Sequence, residues 1–193
     1  MRMPEYRFDE ESHTYTLLSS GARLPNITRI LNLAGLVTDQ WYTEESSVRG
    51  QAAHKLAADV DLGSLDVDGC VSAYRGYLLA WVEIMRLVPH EWYAVEEVRV
   101  SERWRFAGRL DRIGKMWGLS AVCEIKTGDV EPKSHPIQTA LQAILAADEL
   151  RLPPEDVQRY AVYLRPNGRG FVEEHRNRFD LVRARGYLER YCR

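Results

Sequence analysis

Asp111, Glu124 and Lys126 are the residues of this chain whose types and spacing could do chemistry together. They lie between Phe106 and Gly128, a stretch that reads as two strands and a turn. Arg109 to Ile113 is the first strand. Gly114-Lys-Met-Trp-Gly118 is the turn, with a glycine at each end. Leu119 to Ile125 is the return strand. Its residues Leu119, Ala121, Val122, Cys123 and Ile125 make a nearly continuous apolar run, the pattern of a strand buried on both faces. Glu124 and Lys126 interrupt it two residues apart and therefore share a face. The hairpin folds Asp111 back towards them.

Two carboxylates and an ammonium at a buried strand end are costly without compensation. A divalent cation would supply it, because carboxylate oxygens are hard ligands that suit magnesium or manganese. A lysine beside such an ion can orient, or take a proton from, the water that attacks a phosphodiester. The same three residues also fit a plain buried ion pair, with Lys126 neutralising one carboxylate.

The elements that must position these groups can be read along the chain. Tyr6 to Leu17 alternates as a small hairpin, and Asn26 caps a short helix through Leu33. Glu44 to Val60 is helical and carries Arg49-Gly50-Gln-Ala-Ala-His54; there Gly50 and Ala53 permit close approach of another element. Val71 to Val88 is a longer amphipathic helix, stopped by Pro89. Trp92 to Val100 is a strand in which Glu96 and Glu97 point to opposite faces. A polar connection, Asp129 to Pro136, leads to a helix from Ile137 to Leu150 that bears Gln138 and Gln142. Gln158 to Arg165 is a strand, Phe171-Val172 its return, and Val182 to Tyr191 a closing helix. Trp104 at the turn before Phe106 is either a loop aromatic for nucleic acid or a covering residue. Arg159, Arg165 and Arg169 are candidates for a nucleic-acid backbone, which asks only for scattered cations.

The length of 193 residues and ordinary apolar content predict one domain with a full core. The formal charge of -2 argues against a non-catalytic DNA packager, while leaving room for a local basic groove. Three widely spaced cysteines offer neither a disulfide framework nor a Cys-x-x-Cys metal pair, and Cys123 reads as a small core residue. No apolar stretch is long enough to cross a membrane and the start of the chain is polar, so a cytoplasmic location is expected.

Gly108-Arg-Leu-Asp111 followed by Glu124-Ile-Lys126-Thr-Gly resembles the core of the PD-(D/E)XK nuclease superfamily, in its RecB-type and phage-exonuclease branches. Leu110 replaces the name-giving proline, as in many RecB-type members. Pro25-Asn26-Ile27-Thr28, Arg49-Gly50…His54 and Gln138 fall in the family's order, so the resemblance covers roughly Tyr6 to Arg165. It implies an α/β, restriction-endonuclease-like domain spanning residues 1–193: a central mixed β-sheet flanked by α-helices. Residues 1–35 would be the N-terminal hairpin and short helix, and 92–166 the catalytic core.

It also implies a Mg2+- or Mn2+-dependent deoxyribonuclease, expected to be an exonuclease of phage-type or RecB-like recombination, replication or repair. A structure-specific endonuclease and a non-catalytic DNA-binding module on the same fold are the alternatives. Asp111, Glu124, His54 and the carbonyl of Ile125 would hold the metal. Lys126 and Gln138 would complete the catalytic set, and Glu97 would be a further acid. Arg49, Gln142 and Arg165 would contact linear single- or double-stranded DNA. In Gln142 the family's tyrosine is altered. An iron–sulfur cluster is not expected. Either a homo-oligomer or a recombination or replication partner protein is compatible with the resemblance.

Overall fold

In the structure, a computed structural model, residues 4–9, 12, 14–37, 43–131 and 133–192 are described. The tip of the expected N-terminal hairpin, Pro132 of the expected connection and the chain ends lie outside them. The chain begins with a three-stranded antiparallel sheet of β1 (Tyr6–Asp9), β2 (Thr14–Leu17) and β3 (Arg23–Leu24). Phe8 and Tyr15 stack across it at 4.7 Å. Next comes α1 (Ile27–Leu33), whose cap Asn26 accepts from the Arg29 N–H at 2.7 Å.

The central sheet has the order β4 (His90–Ser101), β5 (Phe106–Met116), β6 (Leu119–Lys126), β7 (Gln158–Leu164), β8 (Gly170–Glu174). Every pairing is antiparallel except β6 with β7. That parallel pair requires a crossover, which α4 (His135–Leu150) supplies. The helices α2 (Glu44–Asp61) and α3 (Arg75–Leu87) cover one face, with Ala53, Trp81, Cys123, Ile125 and Val162 in one core. The helices α1, α4 and α5 (Phe179–Tyr191) cover the other, where Ile30, Val122, Leu141 and Leu188 pack. Adjacent residues of β6 thus enter opposite cores, which is what its unbroken apolar run predicts. The architecture is the α/β, restriction-endonuclease-like one: a mixed sheet flanked by helices. Among the described residues no helix is long and apolar enough to cross a membrane.

The central hairpin is longer than its sequence implies. Strand β5 runs on through Gly114 to Met116, and only Trp117 and Gly118, at φ 50° and 79°, make the turn. Gly114 serves packing instead: a Cβ there would lie 2.0 Å from the Glu91 carbonyl oxygen, beside the bulge between Trp92 and Ala94.

Strands β4 and β5 change phase together halfway along. Leu110 and Ile113 are three residues apart, yet both enter the core under α4. Likewise Ala94 enters that core, while Arg99, five residues on, reaches Glu149 of α4 at 2.7 Å. Regular alternation allows neither spacing. The change falls at Glu96 and Asp111, which the register of Val95 with Arg112 and Glu97 with Leu110 sets opposite each other. Glu96 takes a left-handed φ of 52°, which costs a non-glycine residue about 1–2 kcal/mol.

Candidate active site

The phase change aims Glu96 and Asp111 at His54 on α2. His54 Nδ1 lies 3.3 Å from Glu96 Oε1 and 3.3 Å from Asp111 Oδ1. Its Nε2–H donates to the Ile125 carbonyl oxygen at 3.1 Å. Asp111 Oδ2 accepts from the Ile125 N–H at 2.7 Å, where β5 has left β6. Burial opposes the charged form of His54, but the two carboxylates outweigh it and push the imidazole well above the usual histidine range.

Single ligand atoms of His54, Glu96 and Asp111 lie within 4.8 Å of one another; the Ile125 carbonyl, expected as a further ligand, instead accepts from Nε2–H on the other side of the imidazole and orients the ring. One imidazole nitrogen and two carboxylates make a group that could hold a metal ion. The charge balance agrees. Among the described residues, Asp61, Glu96 and Asp111 stand against Arg112 and His54, and a metal that displaced the His54 proton would meet a formal -2. One divalent cation would cancel that charge.

The second half of the site sits one residue away on β6. Glu124 is 5 % exposed, and Lys126 Nζ donates to its Oε1 at 2.8 Å. Gln138, on the first turns of α4, donates to the same oxygen at 2.6 Å and accepts from Lys126 Nζ at 2.8 Å. Gln142, one turn on, donates to Glu124 Oε2. The glutamines therefore fix the carboxylate and the lysine together. Glu124 is not one of the three residues of the His54 group, so the expected ligand set is only partly gathered.

Several other expected placements change. The acid beside His54 is Glu96, whereas Glu97 is half exposed and pairs with Arg99 at 2.9 Å. Gln142 is 1 % exposed, too deep to reach a nucleic acid, and serves Glu124 instead. Arg159 is likewise buried, held by Asp180 and the carbonyls of Pro136 and Asn177. Arg165 anchors the loop after β6 through Gly128 O at 2.8 Å. Arg49 has a buried Nε with no hydrogen-bond partner among the described residues. Trp104 packs on the core as a covering residue. Ala53 is buried, but nothing lies within 4 Å of where a Gly50 Cβ would be, because Gly50 lines an open cleft with Gln51, His54, Glu96 and Arg109. Arg112 and Asp61 carry no motif, and Arg109, although it lies within Gly108-Arg-Leu-Asp111, was given no role from the sequence.

Glu96 could have been found by counting the register back from the turn between Ser101 and Phe106, which puts it opposite Asp111. Glu96→Gln is expected to weaken Mn2+ binding about 10–100-fold, and Glu97→Gln to leave it unchanged. Calorimetric titration of both variants checks this, and the reverse ranking would return the role to Glu97.

His135, at the start of α4, hydrogen-bonds Tyr163 Oη at 2.8 Å. Burial and the Lys126 charge lower its pKa to about 3. The unfolded chain binds this proton near pH 6.5, so the stabilising share of His135 is whole above pH ~6.5 and is lost as pH falls towards ~3. Burial lowers His175 in the same direction, whereas His54 acts oppositely. His135→Gln should lose less stability than the wild type between pH 7 and pH 5, by up to about 2 kcal/mol and less where water reaches the ring. Urea titrations at the two pH values measure it, and equal losses would clear His135.

Compared with known proteins, the chain matches no family model and no curated protein. Among solved structures it is similar to a protein of Eubacterium rectale described as a “putative exonuclease”. The TM-score is 0.50 and the identity 12%, over 84% of this chain and 69% of the other. A second structure, SSO0001, shows 17% identity over 72% of this chain and 82% of its own, at a TM-score of 0.34. At these identities the first likeness establishes a shared fold.

Proposed function

We propose that the protein is a metal-dependent deoxyribonuclease, most specifically an exonuclease, that hydrolyses phosphodiester bonds with Mg2+ or Mn2+. One observation carries this reading: the locked Glu124–Lys126–Gln138 arrangement shares β6 with the peptide group of Ile125, which joins His54 and Asp111. A plain ion pair would need neither the convergent ligand group nor two glutamines holding the carboxylate. The shared fold with the Eubacterium rectale protein supports it.

In this reading His54, Glu96 and Asp111 would hold the cation, the Ile125 carbonyl would keep the imidazole oriented from its far side, and Glu124 would border the cation on the lysine side. The bound ion would lower the pKa of a water ligand and offset phosphate charge. Lys126 Nζ orients the attacking water or stabilises the charge that builds on the phosphorus oxygens. Gln138 keeps Lys126 and Glu124 in register.

Arg109 is exposed on the cleft that His54 and Glu96 line. Its guanidinium makes no hydrogen bond or ion pair with any described residue, so it is the one best placed for a substrate phosphate. Arg49 and Arg165 are further candidates for the strand's path. Arg109→Gln should weaken DNA binding about equally for all sequences and lower the slope of log K against log salt by about 1. Fluorescence anisotropy at graded salt measures this, and an unchanged slope would remove Arg109 from the interface.

The deciding experiment incubates the protein with linear and closed-circular DNA, each single- and double-stranded, in Mg2+, Mn2+ or EDTA. Metal-dependent loss of the linear forms alone is expected. Cutting of circles would make the protein an endonuclease. Metal binding and verified folding without any cleavage would leave a DNA-binding module on the same fold.

A further inference from the structure

We infer that Arg112 is a positioning residue that holds Glu96 in the metal-ligand group, with Asp61 and Trp81 as its anchor. The inference rests on the metal site proposed above and goes beyond it by naming what sets that site's geometry.

Arg112 is fully buried, and a guanidinium keeps its charge at any pH relevant to folding. The phase change at Asp111 turns it away from α4 and under α2 and α3. There its Nε donates to Asp61 Oδ2 at 2.6 Å, and its guanidinium carbon lies 5.1 Å from the centre of the Trp81 ring. The other Asp61 oxygen accepts from Trp81 Nε1 at 3.0 Å. Trp81 is itself fully buried in the core, so the anchor is rigid.

The rest of the guanidinium faces the site. Nη1 donates to the Asp111 carbonyl oxygen at 2.6 Å and to Glu96 Oε1 at 3.2 Å. That same Glu96 oxygen faces His54 Nδ1. One nitrogen thus ties the backbone of one acid to the side chain of the other. Nη2 is buried without a hydrogen-bond partner among the described residues.

A buried ion pair is a poor route to stability, since a well-packed apolar pair is often as good or better. The cost of burying Arg112 is matched by a specific result instead. Among the described residues, Glu96 is bonded only by His54 and Arg112, and its left-handed backbone would otherwise leave the carboxylate free to swing into the cleft. Were Arg112 present only to neutralise Asp61, its contact with Glu96 would be incidental and its loss would not be coupled to Glu96.

The test is a double-mutant cycle on Mn2+ binding to the full chain, read by calorimetry with circular-dichroism melts alongside. Arg112→Met is expected to lower Mn2+ affinity about 10–100-fold. Arg112→Lys, which keeps the charge but not the fork and covers the case in which the methionine variant fails to fold, should show a smaller loss in the same direction. In Glu96→Gln the additional substitution should change nothing, because the acid that Arg112 positions is already gone. Wild-type affinity in a folded Arg112 variant, or losses that multiply in the double variant, would overturn the inference and leave the nuclease reading standing. No Mn2+ binding by the wild type would overturn the metal site and the inference with it.

Discussion

Lys126→Met is expected to lower the rate of cleavage by about 10³-fold, the scale found when a preorganised charge-stabilising donor is removed, while the protein stays folded and binds DNA. The fold should survive because Glu124 is not left alone. Gln138 still donates to Oε1 and Gln142 to Oε2 after the ammonium is gone. The methionine replaces the aliphatic stem of a side chain that is 19 % exposed, so little packing is lost. Single-turnover cleavage of linear DNA, with melting curves as control, would show whether the amine acts in the reaction. A rate within tenfold of the wild type would reduce Lys126 to a counter-ion and take the proposed chemistry with it.

Asp111→Asn is expected to abolish cleavage and metal binding together, while Asp111→Ala also damages the fold. The difference lies in the two oxygens. Oδ2 accepts the buried Ile125 N–H, a role that an asparagine oxygen can keep. Oδ1 faces His54 and supplies charge, which asparagine cannot. Alanine strands the N–H as well, at about 1–3 kcal/mol. Metal offers an independent readout: at 100 times its dissociation constant a ligand adds about 2.7 kcal/mol of stability. The wild type should gain that in Mn2+ and Asp111→Asn should gain nothing. An asparagine variant that is still stabilised by Mn2+ would exclude Asp111 as a ligand.

The features legible in the sequence are those that depend on local pattern. The apolar run of β6 declares a strand buried on both faces, and its interruption by Glu124 and Lys126 marks their shared face. Asn26 declares the start of α1. The Arg49-to-His54 string and Gln138 lead to two side chains that contact neighbouring residues of β6, Ile125 in one case and Glu124 in the other.

Other features were hidden because they depend on departures from periodicity. Strict alternation puts Glu96 and Glu97 on opposite faces but cannot choose between them. Counting the register back from the Ser101–Phe106 turn sets Glu96 opposite Asp111, but the left-handed residue and matching shift that turn both toward His54 leave no mark in residue types. The Gly114 signal was misread because close approach of a neighbouring backbone and a tight turn both require glycine. Gln142 was expected on nucleic acid because a helix presents all its faces equally until the sheet beneath it is known.

By itself, then, the sequence determined most of the strands and helices, and that Asp111 shares a hairpin with Glu124 and Lys126, which lie on one face, since hydrophobic periodicity and hairpin closure are local. Only the tertiary structure decided that Glu96 joins His54, that Gln142 holds Glu124, and that Arg112 lies beneath the site against Asp61 and Trp81. These are contacts between residues 18 to 51 apart in the chain, and the burial of a charge is set by its partners, not by its own type.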